Sequence, residues 1–213
     1  MRAQRFVVLL VLFLVSPSTL TAGAAAGAGG TGAAPGTRAE APSRVVQVTE
    51  FPVPTPSSRP YQIVAGPDGN LWFTEEEADI IGMITVDGLP SEFPTQNCCF
   101  PTFITAGMDG RLWFTEELPG QIGAISTDGS VEYFTPPTAE LLYGITTRPD
   151  GAAWFTGLAG TYKLGKVQTD GQITEILAPT VLTGIAGVTT GPDGNIWIAE
   201  SQSNAIGRLD LGS

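Results

Sequence analysis

The side chains best equipped for chemistry are carboxylates set at a regular interval. Glu75 closes the run LWFTE, Glu116 closes a second LWFTE and Glu200 closes IWIAE. Two of them open acidic runs, Glu75-Glu76-Glu77 with Asp79, and Glu116-Glu117. Oxygen ligands of this kind suit a hard cation such as magnesium or calcium. The competing reading is a solvated acidic loop, the usual state of exposed charge runs. The chain has no histidine, so it lacks both the commonest general base near neutral pH and the commonest transition-metal ligand.

Cys98 and Cys99 are the only cysteines and are adjacent. A trans peptide sets neighbouring Cα atoms about 3.8 Å apart, below the usual disulfide range. A labile vicinal disulfide, two free thiols and an intermolecular bridge all remain open. They fall in the loop 96–101, on the same face as the acidic runs, and join the candidate ligand-binding residues.

A repeat positions these groups. Four segments align: GPDGNLWFTE from Gly66, GMDGRLWFTE from Gly107, RPDGAAWFTG from Arg148 and GPDGNIWIAE from Gly191. Their tryptophans, Trp72, Trp113, Trp154 and Trp197, lie 41, 41 and 43 residues apart. An apolar residue plus glycine keeps the period at Ile81-Gly82, Ile122-Gly123, Leu164-Gly165 and Ile206-Gly207. Repeats of this length with several short strands mark blades of a β-propeller. The expected fold is therefore all-β, with four-stranded antiparallel blades.

Within the first repeat, strand a covers residues 62–65 and strand b residues 71–74, joined by the turn Pro67-Asp68-Gly69. Strand c spans residues 80–86, Asp87-Gly88 turns the chain, and strand d ends near Phe93-Pro94. Strand b is apolar on both sides, as a blade sandwiched between neighbours requires. The tryptophans read as core rather than as glycan platforms, and the Asp-Gly pairs as turns rather than calcium loops. The last repeat supplies strands a, b and c only. Residues 45–51 match strand d in character and are expected to complete that blade.

Ahead of the repeats, Arg2 and Arg5 precede an apolar run over residues 6–15, with small residues at Ala22 and Ala24. This pattern predicts a signal peptide over residues 1–24 and secretion, followed by an Ala/Gly/Pro-rich linker over 25–44 and the propeller over 45–213. Removing the two arginines takes the formal charge from −11 to −13. Nucleic acid and anionic membrane are poor partners for such a chain. Cations, small molecules, peptides, glycans and other proteins suit it better.

The stretch TEFPVPTPSSRPYQIVAGPDGNLWFTE, from Thr49 to Glu75, resembles the blade pattern of the virginiamycin B lyase (streptogramin lyase) family, and the likeness extends over residues 45–211. The resemblance implies a seven-bladed ring and a magnesium-assisted elimination that opens the ester of a cyclic depsipeptide antibiotic. Against that pattern the four repeats amount to a partial or open propeller. The family's catalytic histidine begins strand a, fourteen residues before the WFTE glutamate; here those slots hold Tyr61, Thr102, Tyr143 and Ala186. The resemblance makes Glu75, Glu116 and Glu200 the candidate metal ligands, while Gly157 breaks the series. A further acidic ligand maps to Arg59, Phe100, Leu141 and Gly184, none of which binds a cation.

Strand alternation places Tyr61, Thr102 and Tyr143 on the same loop face as the glutamates, which makes them candidate ligand-binding residues. The preferred reading is a ligand- or cation-binding propeller without a catalytic residue of its own. The alternative is a metal-dependent lyase or lactonase-type enzyme that uses carboxylates or a partner subunit. A homodimer that completes a larger ring is a further expectation, because open blade faces are apolar.

Overall fold

The structure is a computed structural model that describes residues 47–95, 99–138, 141–159, 161–176 and 184–211. The described residues form fifteen strands and the turns between them. The first blade comprises β1 (Pro60–Ala65), β2 (Leu71–Glu75), β3 (Ile80–Ile84) and β4 (Pro90–Pro94). The second comprises β5 (Pro101–Ala106), β6 (Leu112–Glu116), β7 (Gln121–Ile125) and β8 (Val131–Phe134). The third comprises β9 (Leu141–Thr147), β10 (Ala153–Ala159), β11 (Thr161–Val167) and β12 (Ile173–Ile176). The fourth holds β13 (Ile185–Thr190), β14 (Ile196–Glu200) and β15 (Ala205–Leu209). Every sheet is an antiparallel meander in chain order, so the all-β propeller expectation holds.

The repeat residues have distinct tasks. In the first, second and fourth blades the turn aspartate anchors the indole: Trp72 Nε1 donates to Asp68 Oδ1 at 3.0 Å, Trp113 Nε1 to Asp109 Oδ1 at 3.3 Å and Trp197 Nε1 to Asp193 Oδ1 at 3.0 Å. The glycine that opens the turn leaves room for that indole, since a Cβ on Gly66 would meet Trp72 Cδ1 at 2.4 Å. The third blade has Arg148 at that position. Its guanidinium takes Asp150 at 2.9 Å, and Trp154 Nε1 has no hydrogen-bond partner among the described residues. The glycine of strand c serves a second ring: a Cβ on Gly82, Gly123 or Gly165 would lie 2.2, 2.0 or 2.3 Å from the Phe73, Phe114 or Phe155 ring.

The core lies between blades, in three seams of one composition. Trp72 and Ile81 of the first blade pack on Ile104, Leu112, Phe114 and Ile125 of the second. Trp113 and Ile122 continue onto Leu142, Ile145, Ala153 and Phe155. Trp154 and Leu164 continue onto Ile185, Ile196 and Ile198. Strand b is buried on both sides because it serves two seams at once. Threonines stitch the first two seams: Thr74 Oγ1 donates to Thr102 O at 2.8 Å and Thr115 Oγ1 to Tyr143 O at 2.5 Å.

On the outer side, the aromatic that ends strand d covers the Asp-Gly turn of the next blade, with Phe93 over Gly129 and Phe134 over Gly171. The fourth sheet has three strands, and no strand among the described residues pairs with the outer edge of β15. Of the segment expected to supply that strand, residues 45–46 lie outside the described residues and 47–51 form no strand. Phe51 lies over Gly88 of the first blade.

Candidate functional site

The loops that follow strand b and those that precede strand a are zipped together on one face. Glu76 N donates to Arg59 O at 3.1 Å and Glu77 N to Ser58 O at 3.0 Å in the first blade. Glu117 N donates to Phe100 O at 3.1 Å in the second, and Ser201 N to Gly184 O at 2.9 Å in the fourth. Three of the four residues that offer these carbonyls adopt left-handed φ, +58° at Arg59, +50° at Phe100 and +62° at Gly184. These are three of the four positions where the family resemblance expects a second acidic ligand. Here they shape the loop through backbone instead.

This zipper buries the glutamates that end strand b. Glu75 and Glu116 are completely buried, and neither carboxylate makes a hydrogen bond of good geometry to a described residue. Glu200, in the fourth blade, is half-buried and lies 3.4 Å from Ser203 Oγ. Burial pushes the Glu75 carboxyl above its ordinary value, with Ser58 opposing and Glu92 reinforcing the shift. For Glu116 burial raises the pKa to about 7, against the pull of Cys99, Thr95 and Tyr133 nearby and with the charge of Asp79 adding to it. A carboxyl in that range suits proton transfer near neutral pH, but a fully buried one meets no substrate.

Asp79 is a structural tether that the repeat pattern alone does not single out. It takes left-handed φ of +55°, and its Oδ1 accepts both Cys99 N and Phe100 N at 3.0 Å. Its carbonyl accepts Thr95 N at 2.8 Å and Thr95 Oγ1 at 3.0 Å. The first blade's acidic loop is thereby tied to the link into the second blade. Its place in the acidic run 75–79 was visible in the sequence; its link to residues distant in the chain was not.

The remaining candidates separate by exposure. Tyr61 is exposed and meets Phe103 edge to face at 5.7 Å. Thr102 is buried with its hydroxyl 3.3 Å from that of Thr115, and Tyr143 is half-buried. Cys99 is buried, whereas Cys98 lies outside the described residues. The accessible charge on this face belongs to the loop acids: Glu77 is exposed and Glu76 half-buried, 3.5 and 3.4 Å from Arg59 Nη1. Burial raises the Glu76 pKa; Arg59 opposes it, while Glu117 and Glu77 reinforce it. Among the described residues no three Asp, Glu, Cys or His side chains are grouped to hold a metal ion. Among the described residues the glutamates do not fit magnesium or calcium as a set.

Four consecutive blades with loops gathered on one face define a β-propeller. The profile of the virginiamycin B lyase family matches residues 46–213, and the chain belongs to that family. A catalytically inactive histidine-to-alanine variant of virginiamycin B lyase from Staphylococcus aureus, solved with quinupristin, is 40% identical with a TM-score of 0.72, covering 77% of this chain and 56% of that one. A streptogramin B lyase structure is 37% identical with a TM-score of 0.68, covering 78% and 59%. The virginiamycin B lyase of Bordetella parapertussis is 45% identical over 49 residues, 23% of this chain and 16% of that protein. The chain thus spans little more than half of the similar lyase structures. A gluconolactonase from Xanthomonas campestris, 13% identical with a TM-score of 0.61 over 72% of this chain and 59% of that one, shares the fold alone.

Proposed function

We infer that this chain is a ligand-binding propeller of the virginiamycin B lyase family that does not by itself catalyse ring opening. One observation carries the reading: there is no histidine in the chain, and the four slots that correspond to the family's catalytic base hold Tyr61, Thr102, Tyr143 and Ala186. A phenol titrates near about 10 and a threonine hydroxyl needs a base of its own, so neither takes a weakly acidic carbon proton at neutral pH. The inactivity of the Staphylococcus aureus histidine-to-alanine variant supports the same view. The exposed Tyr61 ring, in the groove with Phe51 and Ile63, and the loop charges Arg59, Glu76 and Glu77 offer aromatic and charged surface for a small molecule, peptide or glycan.

The test uses purified protein with magnesium and quinupristin, followed by mass spectrometry for ring opening and by calorimetry for binding. No ring opening, with saturable binding weakened at least about tenfold by Tyr61→Ala, is the expected result. Magnesium-dependent turnover would overturn the reading.

A further inference from the structure

At one of the four positions where the family resemblance expects a second acidic ligand, the chain carries the opposite charge. Those positions hold Arg59, Phe100, Leu141 and Gly184. Arg59 belongs to the first blade, whose strand b runs on into Glu76 and Glu77. The same two loop positions hold Glu117 and Leu118 in the second blade, Leu158 and Ala159 in the third, and Ser201 and Gln202 in the fourth. The guanidinium therefore occurs in the blade whose loop carries two consecutive acids, and in no other.

The Arg59 side chain is not what shapes this loop. Its carbonyl takes part in the backbone zipper, and Phe100 and Gly184 offer the same carbonyl at the same left-handed φ without a charged side chain. The contacts of the guanidinium are with the acids: Nη1 lies 3.4 Å from Glu76 Oε1 and 3.5 Å from Glu77 Oε1. Glu76 is half-buried, and its other oxygen, Oε2, has no hydrogen-bond partner among the described residues. The charge of Glu117, from the second blade, reaches Glu76 as well. Three acids from two blades share this corner of the loop face with one cation.

We propose that Arg59 is the built-in cation of this loop face: its guanidinium takes the place that a hard divalent ion would have between Glu76 and Glu77, so that this face is charge-balanced without magnesium or calcium. A divalent ion needs several oxygen ligands around it; a guanidinium among those oxygens both occupies them and repels the ion. The planar guanidinium is also more weakly hydrated than a metal ion and always charged, so it meets paired carboxylates at little cost in water. The glutamates that end strand b supply no replacement set. Glu75 and Glu116 are buried under the zipped loops, and Gly157 interrupts the series. The departure from the family's metal chemistry is carried by a residue that is present, not by one that is missing.

The inference is independent of the ligand-binding reading and has its own readout, calorimetric titration of the purified full chain with magnesium or calcium alone. Wild type should show no saturable binding tighter than about 1 mM, the weak end of extracellular calcium modules. Arg59→Asn removes the charge and should gain saturable calcium binding. Arg59→Asp also adds a carboxylate and should bind at least about tenfold more tightly than Arg59→Asn, since affinity rises with the charge of the ligand set. Adding Glu76→Gln to Arg59→Asp should remove the gain. Asn and Asp both accept the left-handed φ of +58° found at Arg59, and the side chain is exposed, so circular dichroism and urea midpoints should stay near wild-type values. Saturable magnesium or calcium binding by wild type would overturn the proposal, and its loss in Glu75→Gln or Glu116→Gln would restore the family's ligand set. Variants at Arg59 that bind calcium no better than wild type, or a gain indifferent to Glu76→Gln, would overturn it as well.

Discussion

Replacing Glu116 with glutamine should stabilise the protein above neutral pH and leave it unchanged in mild acid. The carboxyl is completely buried, and burial raises its pKa from 4.5 to about 7. Between those values the folded protein holds a proton that the unfolded chain has released. Stability from this group is fully present below 4.5 and is lost as pH rises through about 7. A change of that size corresponds to about 3 kcal/mol, and relaxation around the ion reduces the expected effect to about 2 kcal/mol. Glutamine keeps the shape and never ionises. At about pH 8 the variant should therefore exceed wild type by about 2 kcal/mol, or about 4 to 8 °C in Tm, while near pH 4.5 the two should agree within about 0.5 kcal/mol. Urea unfolding followed by tryptophan fluorescence at successive pH values measures the difference. Glu75 and Glu76 are also shifted upward, so both proteins lose stability with rising pH; only the gap between them is diagnostic. A gap that stays constant with pH, or a variant less stable at pH 8, would refute the reasoning.

Gly123→Ala should cost about 3 kcal/mol in urea unfolding, because its Cβ would lie 2.0 Å from the Phe114 ring in a packed blade; a cost under about 0.5 kcal/mol would contradict that packing. Thr115→Val should cost about 1 to 2 kcal/mol by leaving the Tyr143 carbonyl without its donor. Thr156→Val, whose hydroxyl has no partner among the described residues, should be neutral or slightly stabilising, and equal costs for the two would refute the stitching role.

The fold was legible because a repeat displays each structural task several times. Trp72, Trp113 and Trp154 recur because each fills the same seam, and the Asp-Gly pairs recur because each turn needs positive φ, +84° at Gly88, +90° at Gly129 and +86° at Gly171. The link between indole and turn aspartate was less visible. Asp68 reads as turn chemistry, and nothing in the sequence says that the same oxygen also receives Trp72 Nε1. The strand-end glutamates show where sequence reading stops. Their period places them on the loop face, and an acidic residue on a loop face is ordinarily solvated. Whether the loop folds over it depends on contacts between segments far apart in the chain, such as Leu118 N to Cys99 O at 3.3 Å.

That distinction divides the acidic face into two populations with different consequences for function. Glu75 and Glu116 lie inside the zipped loops, where charge is disfavoured, and their substitution should register in stability. Glu76, Glu77 and Glu117 sit one or two positions further on, where the chain has emerged from strand b and retains access to solvent. Under the proposed reading a ligand arriving at this face would meet the second group together with Arg59. The residues that the family resemblance nominates for metal binding are thus not the ones best placed to touch a ligand in these blades. Equivalent repeat positions also diverge when their neighbours change: Glu200 keeps partial access in the fourth blade.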